Sequence, residues 1–449
     1  MLDNTVVNVA LPSIQRDLGA TLSQLEWVVT GYALTFAAFM LIGGKVADAY
    51  GRRLIFVVGI VVFTLASLAC GLADSGEMLI AARVAQGVGA ALMNPATLSI
   101  IAATFPPAQR GAAIGIWAGV SALALAIGPL VGGLLTEHLS WHWIFFVNVP
   151  VGALGIAASF LLIDESRDET HERLDVPGLT TSGVGLFALT YGLIEANAYG
   201  WTSPRILGAF TVAVVALAAF VLLERHQRAP MLPFDLFRNR TYTGANVVVL
   251  LVALAMFGVF FFMSLYMQGI LGYSAVQTGA AFLPLTIAII LLAPVAGKTA
   301  DLIGSRALMT TGMVLIAGQL LYLSRLGGDA TFWDLLPGFV VGGVGMALTM
   351  TPSAAAATRS VPVEKAGVGA AVLNAFRQVG GSLGIAVMGA IMARDVVDDR
   401  TPEAFMRGFE NALTVASGIA FVGAVVAYTL VRPHEGARRA TRTAPEPAA

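Results

Sequence analysis

Long apolar runs separated by short polar connections fill almost the whole chain. A helix needs about 20 such residues to cross the ~30 Å hydrocarbon core of a bilayer. A shorter stretch before Arg16 cannot cross, and we interpret it as half of a first span, left by a late start codon or a shortened chain. Thirteen further runs have the length of a full span, at residues 26–47, 54–73, 78–102, 111–135, 142–163, 174–195, 206–224, 243–267, 277–297, 306–324, 332–357, 366–393 and 411–431. The pattern predicts an all-α polytopic membrane protein with fourteen spans, the first of them truncated.

The composition agrees with this pattern, because 57% of the residues are hydrophobic and 12% are charged. An ordinary soluble domain has roughly 25% charged residues. The net charge of -1 gives no reason to expect a nucleic-acid partner, and the single cysteine, Cys70, can form no intrachain disulfide. Because the sequence has no phosphate-binding loop, no His/Cys metal cluster and no nucleophile motif, we expect no enzyme activity, no cofactor and no metal.

The distribution of Lys and Arg between the connections predicts the orientation in the membrane. If the connection at 48–53 faces the cytoplasm, eighteen of the connecting Lys and Arg residues lie on that side and six on the other. Cytoplasmic connections of membrane proteins carry the excess of positive charge. We therefore expect a multi-pass protein of the cell (cytoplasmic) membrane, with both termini in the cytoplasm.

The connection at 48–53 belongs to a turn that combines glycine with opposite charges and occurs twice. Its positions are Gly44, Asp48, Gly51, Arg52 and Arg53, and a weaker copy follows 253 residues later, at Gly297, Asp301, Gly304 and Arg306. A carboxylate and a guanidinium can form a charge-assisted pair. We interpret both turns as a cytoplasmic gate, whose ion pairs stabilise one closed state and break in the other. The alternative is a topological anchor, because positive charge alone holds such turns inside.

The repeat indicates two related halves. Its offset of 253 residues exceeds what six spans and their connections occupy, so two spans are predicted to be inserted between two six-span bundles. The predicted units are a first bundle at 1–163, an acidic linker with the two inserted spans at 164–224, a second bundle at 225–432 and a disordered cytoplasmic tail at 433–449. The tail is rich in Ala, Pro, Arg and Glu, a composition that favours disorder.

Polar and charged side chains inside the first-half spans are candidates for proton and substrate coupling. A charge inside a span is costly, so Arg83 should face the bundle interior, with Gln86 one turn away. The alternative is that Arg83 extends to the outer headgroups. Asp3 is a buried-carboxylate candidate that could exchange a proton for a cationic substrate, and its alternative role is capping or packing at the helix start. Glu26 lies at a span end, and we interpret it as interfacial.

Two further spans carry unusual small or polar residues. A proline removes one helical hydrogen bond and bends its span, and glycines permit close packing of helices. One span combines both, at Gly115, Gly128, Pro129, Gly132 and Gly133. In the second half, Asn374, Arg377 and Gln378 form a polar face, which we interpret as lining a cavity or packing against a neighbouring helix.

The order of these motifs resembles the major facilitator superfamily over nearly the whole chain. The turn at 44–53 resembles its signature between spans 2 and 3, residues 79–89 resemble its span 4 pattern, and residues 115–133 resemble the span 5 motif of its antiporters. Residues 2–12 and 141–150 resemble stretches of its fourteen-span drug:proton antiporters, the EmrB/QacA type. The chain departs from these patterns at Ala49, Ala124 and His142.

The resemblance implies the major facilitator fold, two six-helix bundles with two extra spans between them that rock about a midplane cavity, and it places Asp3 near mid-span. It implies a proton-coupled antiporter that exports small amphiphilic drugs or toxic metabolites, as in multidrug efflux and antibiotic resistance. An importer or facilitator of a small nutrient and a non-transporting membrane sensor are the alternatives. We expect a monomer whose partners are a small-molecule substrate, protons and the lipid bilayer; accessory efflux subunits stay an open alternative.

Overall fold

The computed structural model describes residues 3–167, 175–227, 230, 232, 234–362, 366–396 and 401–432, and among these residues the chain forms helices and no strands. The α-helices are α1 (Asp3–Leu18), α2 (Leu22–Tyr50), α3 (Arg52–Gly71), α4 (Gly76–Thr104), α5 (Pro107–His138), α6 (Trp143–Phe146), α7 (Asn148–Leu162), α8 (Val176–Tyr199), α9 (Pro204–His226), α10 (Arg240–Gly269), α11 (Ala275–Ala281), α12 (Leu283–Ile303), α13 (Ser305–Leu323), α14 (Phe332–Arg359), α15 (Ala366–Val396) and α16 (Pro402–Leu430). A 3₁₀ helix, Phe234–Arg238, precedes α10. The tail at 433–449, for which the sequence predicts disorder, lies outside the described residues.

These helices form fourteen segments, because α6 and α7 together make one, Trp143–Leu162, and α11 and α12 make another, Ala275–Ile303. Within the described residues, ten segments are long and apolar enough to cross a membrane. α2 is an eleventh if its two parts, which meet at 52° beside residue 41, count as one span. The other three segments are α1, α5 and α8. α1 has 16 residues, fewer than a full span needs, as the sequence predicts.

Most helix packing occurs within two groups, which we call the first bundle (α1–α7) and the second bundle (α10–α16). In the first bundle, α4 packs against α2 and α3, α3 packs against α7, and α1 packs against α5. In the second, α14 packs against α12 and α13, α16 packs against α13 and α10, and α15 packs against α10. α8 and α9 pack against each other, and α8 also contacts α2 and α15. The boundaries between units at 163, 224 and 432 stay predictions.

The repeated turn of the sequence is also a repeated turn of the structure. α2 passes into α3 at Gly51, with φ 119°, and α12 passes into α13 at Gly304, with φ 89°. Glycine adopts these positive values without a steric cost. The Gly51 N–H donates to the Ala47 carbonyl at 3.0 Å, and the Gly304 N–H donates to the Ala300 carbonyl at 3.1 Å. We call the side of the molecule with these two turns the hairpin face, and the opposite side the far face.

The two bundles contact each other near the far face. Gly133, close to the end of α5, lies directly against the Ala275 backbone at the start of α11. Glu26, close to the start of α2, packs its carboxylate over Gly389 near the end of α15. Glu26 is 2% exposed, so the expectation of an interfacial residue is wrong: α15 covers it, which its position at a helix end does not reveal. The far face is therefore closed between the bundles.

Candidate functional site

A buried ion pair forms the centre of the first bundle. Arg83 lies on α4 and is 1% exposed, and Asp3 lies at the start of α1 and is 3% exposed. The Arg83 Nη1 donates to the Asp3 Oδ2, and the same nitrogen donates to the Gln86 Oε1 at 2.6 Å. The Arg83 Nε donates to the Val28 carbonyl of α2 at 3.0 Å. Arg83 is thus bonded inside the bundle and does not extend to the outer headgroups.

The second carboxylate oxygen of Asp3 is also bonded. The Gln86 Nε2 donates to the Asp3 Oδ1 at 3.1 Å and to the Ser67 Oγ of α3 at 2.7 Å. The Asn148 Nδ2, at the start of α7, donates to the same Asp3 oxygen and to the Ser67 Oγ, each at 3.3 Å. Sequence reasoning missed Ser67 and Asn148, although each is a polar residue within an apolar stretch. We call Asp3, Arg83, Gln86, Ser67 and Asn148 the paired site.

Aromatic rings exclude water from the paired site. The Arg83 Cζ lies 4.3 Å from the Tyr32 ring centroid and 5.8 Å from the Phe145 ring centroid, distances at which a guanidinium is attracted to a ring face. In such a medium a charge pair is stable only with good geometry and further hydrogen bonds, and removing one partner strongly destabilises the other. A proton added to Asp3 would therefore change the contacts among α1, α3, α4 and α7. This arrangement can link protonation to helix position.

The turn at 44–53 makes its polar contacts inside the first bundle. The Arg52 Nε donates to the Asp48 Oδ1 at 2.7 Å, and the Arg53 Nη1 donates to the Ile163 carbonyl at 3.0 Å. Glu165 accepts hydrogen bonds from the first backbone N–H groups of α3, at 3.1 Å for Arg53 and 3.0 Å for Leu54. Glu165 thus caps α3, a role that sequence reasoning missed. The sequence assigned residues 164–173 to a linker, and residues 168–174 lie outside the described residues.

The second turn makes a different set of contacts. Asp301 pairs with Arg359 at the end of α14. Arg306 instead places its Cζ 3.9 Å from the Tyr428 ring centroid of α16. Gly44 and Gly297 lie beside α4 and α14, respectively, within their own bundles. The Asp48 and Asp301 pairs thus each stay within one bundle, and a role of these residues as a gate stays a prediction.

The glycine-rich motif of the fifth segment runs along α5, and its last residues lie at the closed far face. Its residues all belong to α5 and comprise Gly115, Gly128, Pro129, Gly132 and Gly133. Gly132 lies against the Val6 backbone of α1, while Gly133 lies against α11 of the other bundle. Gly279 of α11 lies in turn against the Pro129 carbonyl. Side chains larger than hydrogen at these glycines would separate the helices, so the motif permits the contact between the bundles.

The polar face of α15 lies in the second bundle and is not part of the paired site. Gln378 is 1% exposed, and the Asn374 Nδ2 donates to the Ala370 carbonyl of its own helix at 3.3 Å. The Arg377 Nε and the Gln378 Oε1 are buried atoms without a hydrogen-bond partner in the described structure. Among the described residues, no three His, Cys, Asp or Glu side chains are grouped so that they could hold a metal ion.

Known proteins resemble this chain in both sequence and fold. The chain is 39% identical to the puromycin resistance protein pur8 of Streptomyces alboniger over 96% of this chain and 88% of that protein. It is 38% identical to the tetracenomycin C resistance and export protein of Streptomyces glaucescens, over 90% of this chain and 76% of that protein. It is 36% identical to the multidrug resistance protein Stp of Mycobacterium tuberculosis, over 87% and 73% of the two chains.

Solved structures share the fold at low sequence identity. A bacterial homologue of the human lysosomal transporter Spinster, in an inward-facing and occupied conformation, has a TM-score of 0.64 at 17% identity, over 96% of this chain and 94% of that chain. An auto-inhibited peptide transporter of the POT family has a TM-score of 0.66 at 15% identity, over 95% and 94%. The family model of the Major Facilitator Superfamily matches residues 1–385. This chain is a multi-pass membrane protein that belongs to the Major Facilitator Superfamily.

Proposed function

We propose that this chain exports small amphiphilic compounds, antibiotics among them, from the cytoplasm in exchange for protons. The names of three relatives, which refer to puromycin resistance, to tetracenomycin C resistance and export, and to multidrug resistance, support export of such compounds. The observation that carries the proton coupling is the paired site, in which the Asp3 carboxylate is buried against Arg83 and Gln86. Ionisable residues inside membranes typically mark ion and proton pathways.

In this proposal the transporter alternates between two states, one closed at the far face and the other closed at the hairpin face. The hairpin face is cytoplasmic, the protein lies in the cytoplasmic membrane, and both termini are on the cytoplasmic side. We infer that the contacts between α5 and α11 and between α2 and α15 close the outer side in a state that is open toward the cytoplasm. In the opposite state, the Asp48 and Asp301 turns approach and their ion pairs help to close the cytoplasmic side. The monomer is the working unit.

Protonation of Asp3 is the step that connects the two states. A proton from the outside neutralises the carboxylate and weakens its pair with Arg83, whose charge is permanent. The hydrogen bonds from Gln86 and Asn148 then no longer hold an anion, so α4 and α7 can shift relative to α1. Loss of the proton to the cytoplasm restores the pair. We also propose that the chain belongs to the fourteen-span EmrB/QacA subtype.

Purified protein in proteoliposomes tests the proposal. A pH-sensitive dye inside the vesicles reports proton movement after addition of ethidium or of N-phenyl-1-naphthylamine outside. A proton-coupled exporter moves protons in response to the compound and moves the compound against its gradient when a pH gradient is imposed. A facilitator moves the compound without protons, and a sensor moves neither. Either of the last two results in wild-type protein would overturn the proposal, and protein-free liposomes control for passive leak.

A further inference from the structure

The polar face of α15 is a stripe near the middle of the membrane. Asn374, Arg377, Gln378 and Ser382 follow the spacing that places residues along one side of a helix. Arg377 comes eleven residues after the start of α15, which corresponds to ~16 Å along the helix axis. The hydrocarbon core is ~30 Å thick, so the stripe lies close to its midplane.

The stripe lies between the two bundles. Gly381, between Arg377 and Asn374 around the helix, lies against the Phe257 ring of α10 in the second bundle. Ala375, on the other side, belongs to an apolar cluster with Tyr32 of α2 in the first bundle. Around the helix, Asn374, Gln378 and Ser382 lie between these two contacts, and Arg377 lies next to Gly381 on the side of α10. A compound in a midplane cavity between the bundles would meet this side of α15.

Three polar atoms of the stripe have no hydrogen-bond partner among the described residues. In the part of the chain that the structure describes, Arg377 forms no ion pair, and its Nε has no acceptor. The Gln378 Oε1 and the Ser382 Oγ also lack partners there, although these residues are 1% and 0% exposed. Buried polar groups are normally hydrogen-bonded, so each exception requires a reason.

A fourth unsatisfied atom lies across the helix contact. Gly380 of α15 lies against the Leu250 carbonyl of α10, and the next contact, four residues further along each helix, shows that the two helices run in the same direction. One turn earlier, Asn246 of α10 therefore lies at the level of Arg377. Asn246 is fully buried, and its Oδ1 has no partner among the described atoms. The unsatisfied atoms of Arg377, Gln378 and Asn246 thus lie at one depth, and that of Ser382 lies about 7.5 Å further along α15.

Charge decides which ligand these atoms can take. A guanidinium keeps its proton under all ordinary conditions, so Arg377 cannot become neutral as a buried Lys can. An isolated cation in a low-dielectric medium is unfavourable and attracts an anion or water. Arg83 has its carboxylate in the same chain, whereas Arg377 has none within the described residues. The planar fork of Arg377 suits an anionic oxygen group, which it can bind through two parallel hydrogen bonds.

We propose that Arg377 binds an anionic oxygen group of the exported compound, a carboxylate, a sulfonate or a phenolate, at the midplane of the membrane. Gln378, the next residue, and Asn246, at the same level of α10, supply neutral hydrogen-bonding groups. This inference rests on the proposed export of amphiphilic compounds and adds their charge class. It assigns recognition of the compound to the second bundle and leaves the proton to the paired site.

Two fluorescent probes that differ in one anionic group test the inference. 1-Anilinonaphthalene-8-sulfonate carries a sulfonate, and N-phenyl-1-naphthylamine has the same ring system without it. Binding of both is titrated to the full chain in nanodiscs, with empty nanodiscs subtracted to remove partition into lipid. For Arg377→Gln we expect the dissociation constant of the sulfonate probe to rise about tenfold or more, because a charge-assisted hydrogen bond is lost, and that of the neutral probe to change less than about twofold.

Two further variants define the expected pattern. Arg377→Lys keeps the charge and loses the planar fork, so we expect an intermediate loss for the sulfonate probe. Arg325→Gln removes a cation that is exposed and pairs with Glu410 at the surface, and it should change neither constant. Unchanged binding of the neutral probe also shows that a variant is folded.

The outcomes separate this inference from the proposed function. Equal weakening of both probes by Arg377→Gln, or no weakening of the sulfonate probe, would overturn the anion site. If wild-type protein drives proton-coupled transport of the neutral probe while the Arg377 variants do not discriminate between the probes, the inference fails and the exporter stands. If wild-type protein transports neither probe with protons, the proposed function itself fails.

Discussion

The two arginines inside apolar helices, one in each bundle, have opposite surroundings. Arg83 is 1% exposed and donates to Asp3, to Gln86 and to a backbone carbonyl. Arg377 lies within α15 of the second bundle, but its Nε has no acceptor and it forms no ion pair in the described part of the chain. The first arginine belongs to a closed, electrically neutral unit, and the second is a cation without a counter-ion among the described residues.

This difference indicates a division of work between the bundles. A neutral pair that is buried and hydrogen-bonded within the bundle is not available to a compound that enters a cavity, but it responds strongly to a proton. An unpaired cation does not respond to protons, because its charge is permanent, but it responds to the charge of the compound. The first bundle is therefore suited to proton coupling and the second to recognition. Four experiments examine this contrast.

The largest expected difference lies in the stability of matched variants. Arg83→Met leaves Asp3 as an unpaired buried carboxylate, and we expect a loss of about 3–5 kcal/mol in the free energy of unfolding. Arg377→Met removes a cation that has no ion-pair partner in the part of the chain that the structure describes, so we expect the free energy of unfolding to be unchanged or increased. Thermal unfolding of both variants in the same detergent measures the difference. Equal destabilisation would show that Arg377 has an ionic partner after all and would remove the contrast.

Asp3→Asn examines the proton side of the contrast. The amide cannot release a proton, so we expect accumulation driven by a pH gradient to fall to the level of protein-free liposomes, while exchange without a gradient continues. Both oxygens of Asp3 are already bonded to Arg83, Gln86 and Asn148, so the loss should be equal for cationic ethidium and for a neutral probe. A greater loss for ethidium would show that Asp3 also binds the compound.

Gly133→Ala examines the contact between α5 and α11, which closes the far face between the two bundles. An added methyl group would meet the Ala275 backbone, so we expect a cost of about 1–3 kcal/mol to the closed far face and a population shifted toward the outward-open state. Gly208→Ala is the matched control, because nothing lies within 4 Å of the position its Cβ would take.

Cysteine accessibility measures this shift. Cys70, the single cysteine of the chain, is buried and is replaced by serine in the background variant. Single cysteines on either side of the membrane are then labelled with a maleimide that does not cross it. Faster labelling on the outer side in Gly133→Ala than in Gly208→Ala is the expected result. Identical labelling in the two variants would mean that the contact at α5 and α11 does not control access.

The smallest effect is expected at the hairpin face. Asp48 pairs with Arg52 at 2.7 Å, but the pair is partly exposed, and such pairs contribute about 0.2–1 kcal/mol. Asp48→Asn should therefore change labelling and efflux by no more than about fivefold, and Asp301→Asn should do the same. If both variants label and transport like the wild type while insertion is normal, the turns act only as topological anchors.

Much of the architecture could be predicted because it depends on local patterns. The length of each apolar run predicts a helix of that length, and all thirteen predicted runs have a counterpart among the helical segments. Gly51 and Gly304 predict repeated turns because both positions require a positive φ. A guanidinium within an apolar run predicts an arginine that faces the bundle interior, as Arg83 does, since a charge is costly in lipid. These inferences need only the composition and spacing of a few neighbouring residues.

Other features were decided only by the tertiary structure. The carboxylate of Glu165 caps a helix 112 residues away in the chain, and Asp301 pairs with Arg359, 58 residues away, and not with Arg306 of its own turn. Glu26 looked interfacial until α15 was seen to cover it. Arg83 and Arg377 look alike in the sequence, because each lies inside an apolar run. Only the packing of the helices shows that their surroundings differ.

Sequence by itself determined that this chain is a helical membrane protein with a repeated turn and with charges inside its spans. The hydrophobic effect and helix geometry act on neighbouring residues, so these features can be derived from short segments. Which charge meets a counter-ion depends on how helices distant in the chain are packed, because an ion pair forms only within about 4 Å. Only the tertiary structure therefore separated the paired arginine of the first bundle from the unpaired arginine of the second.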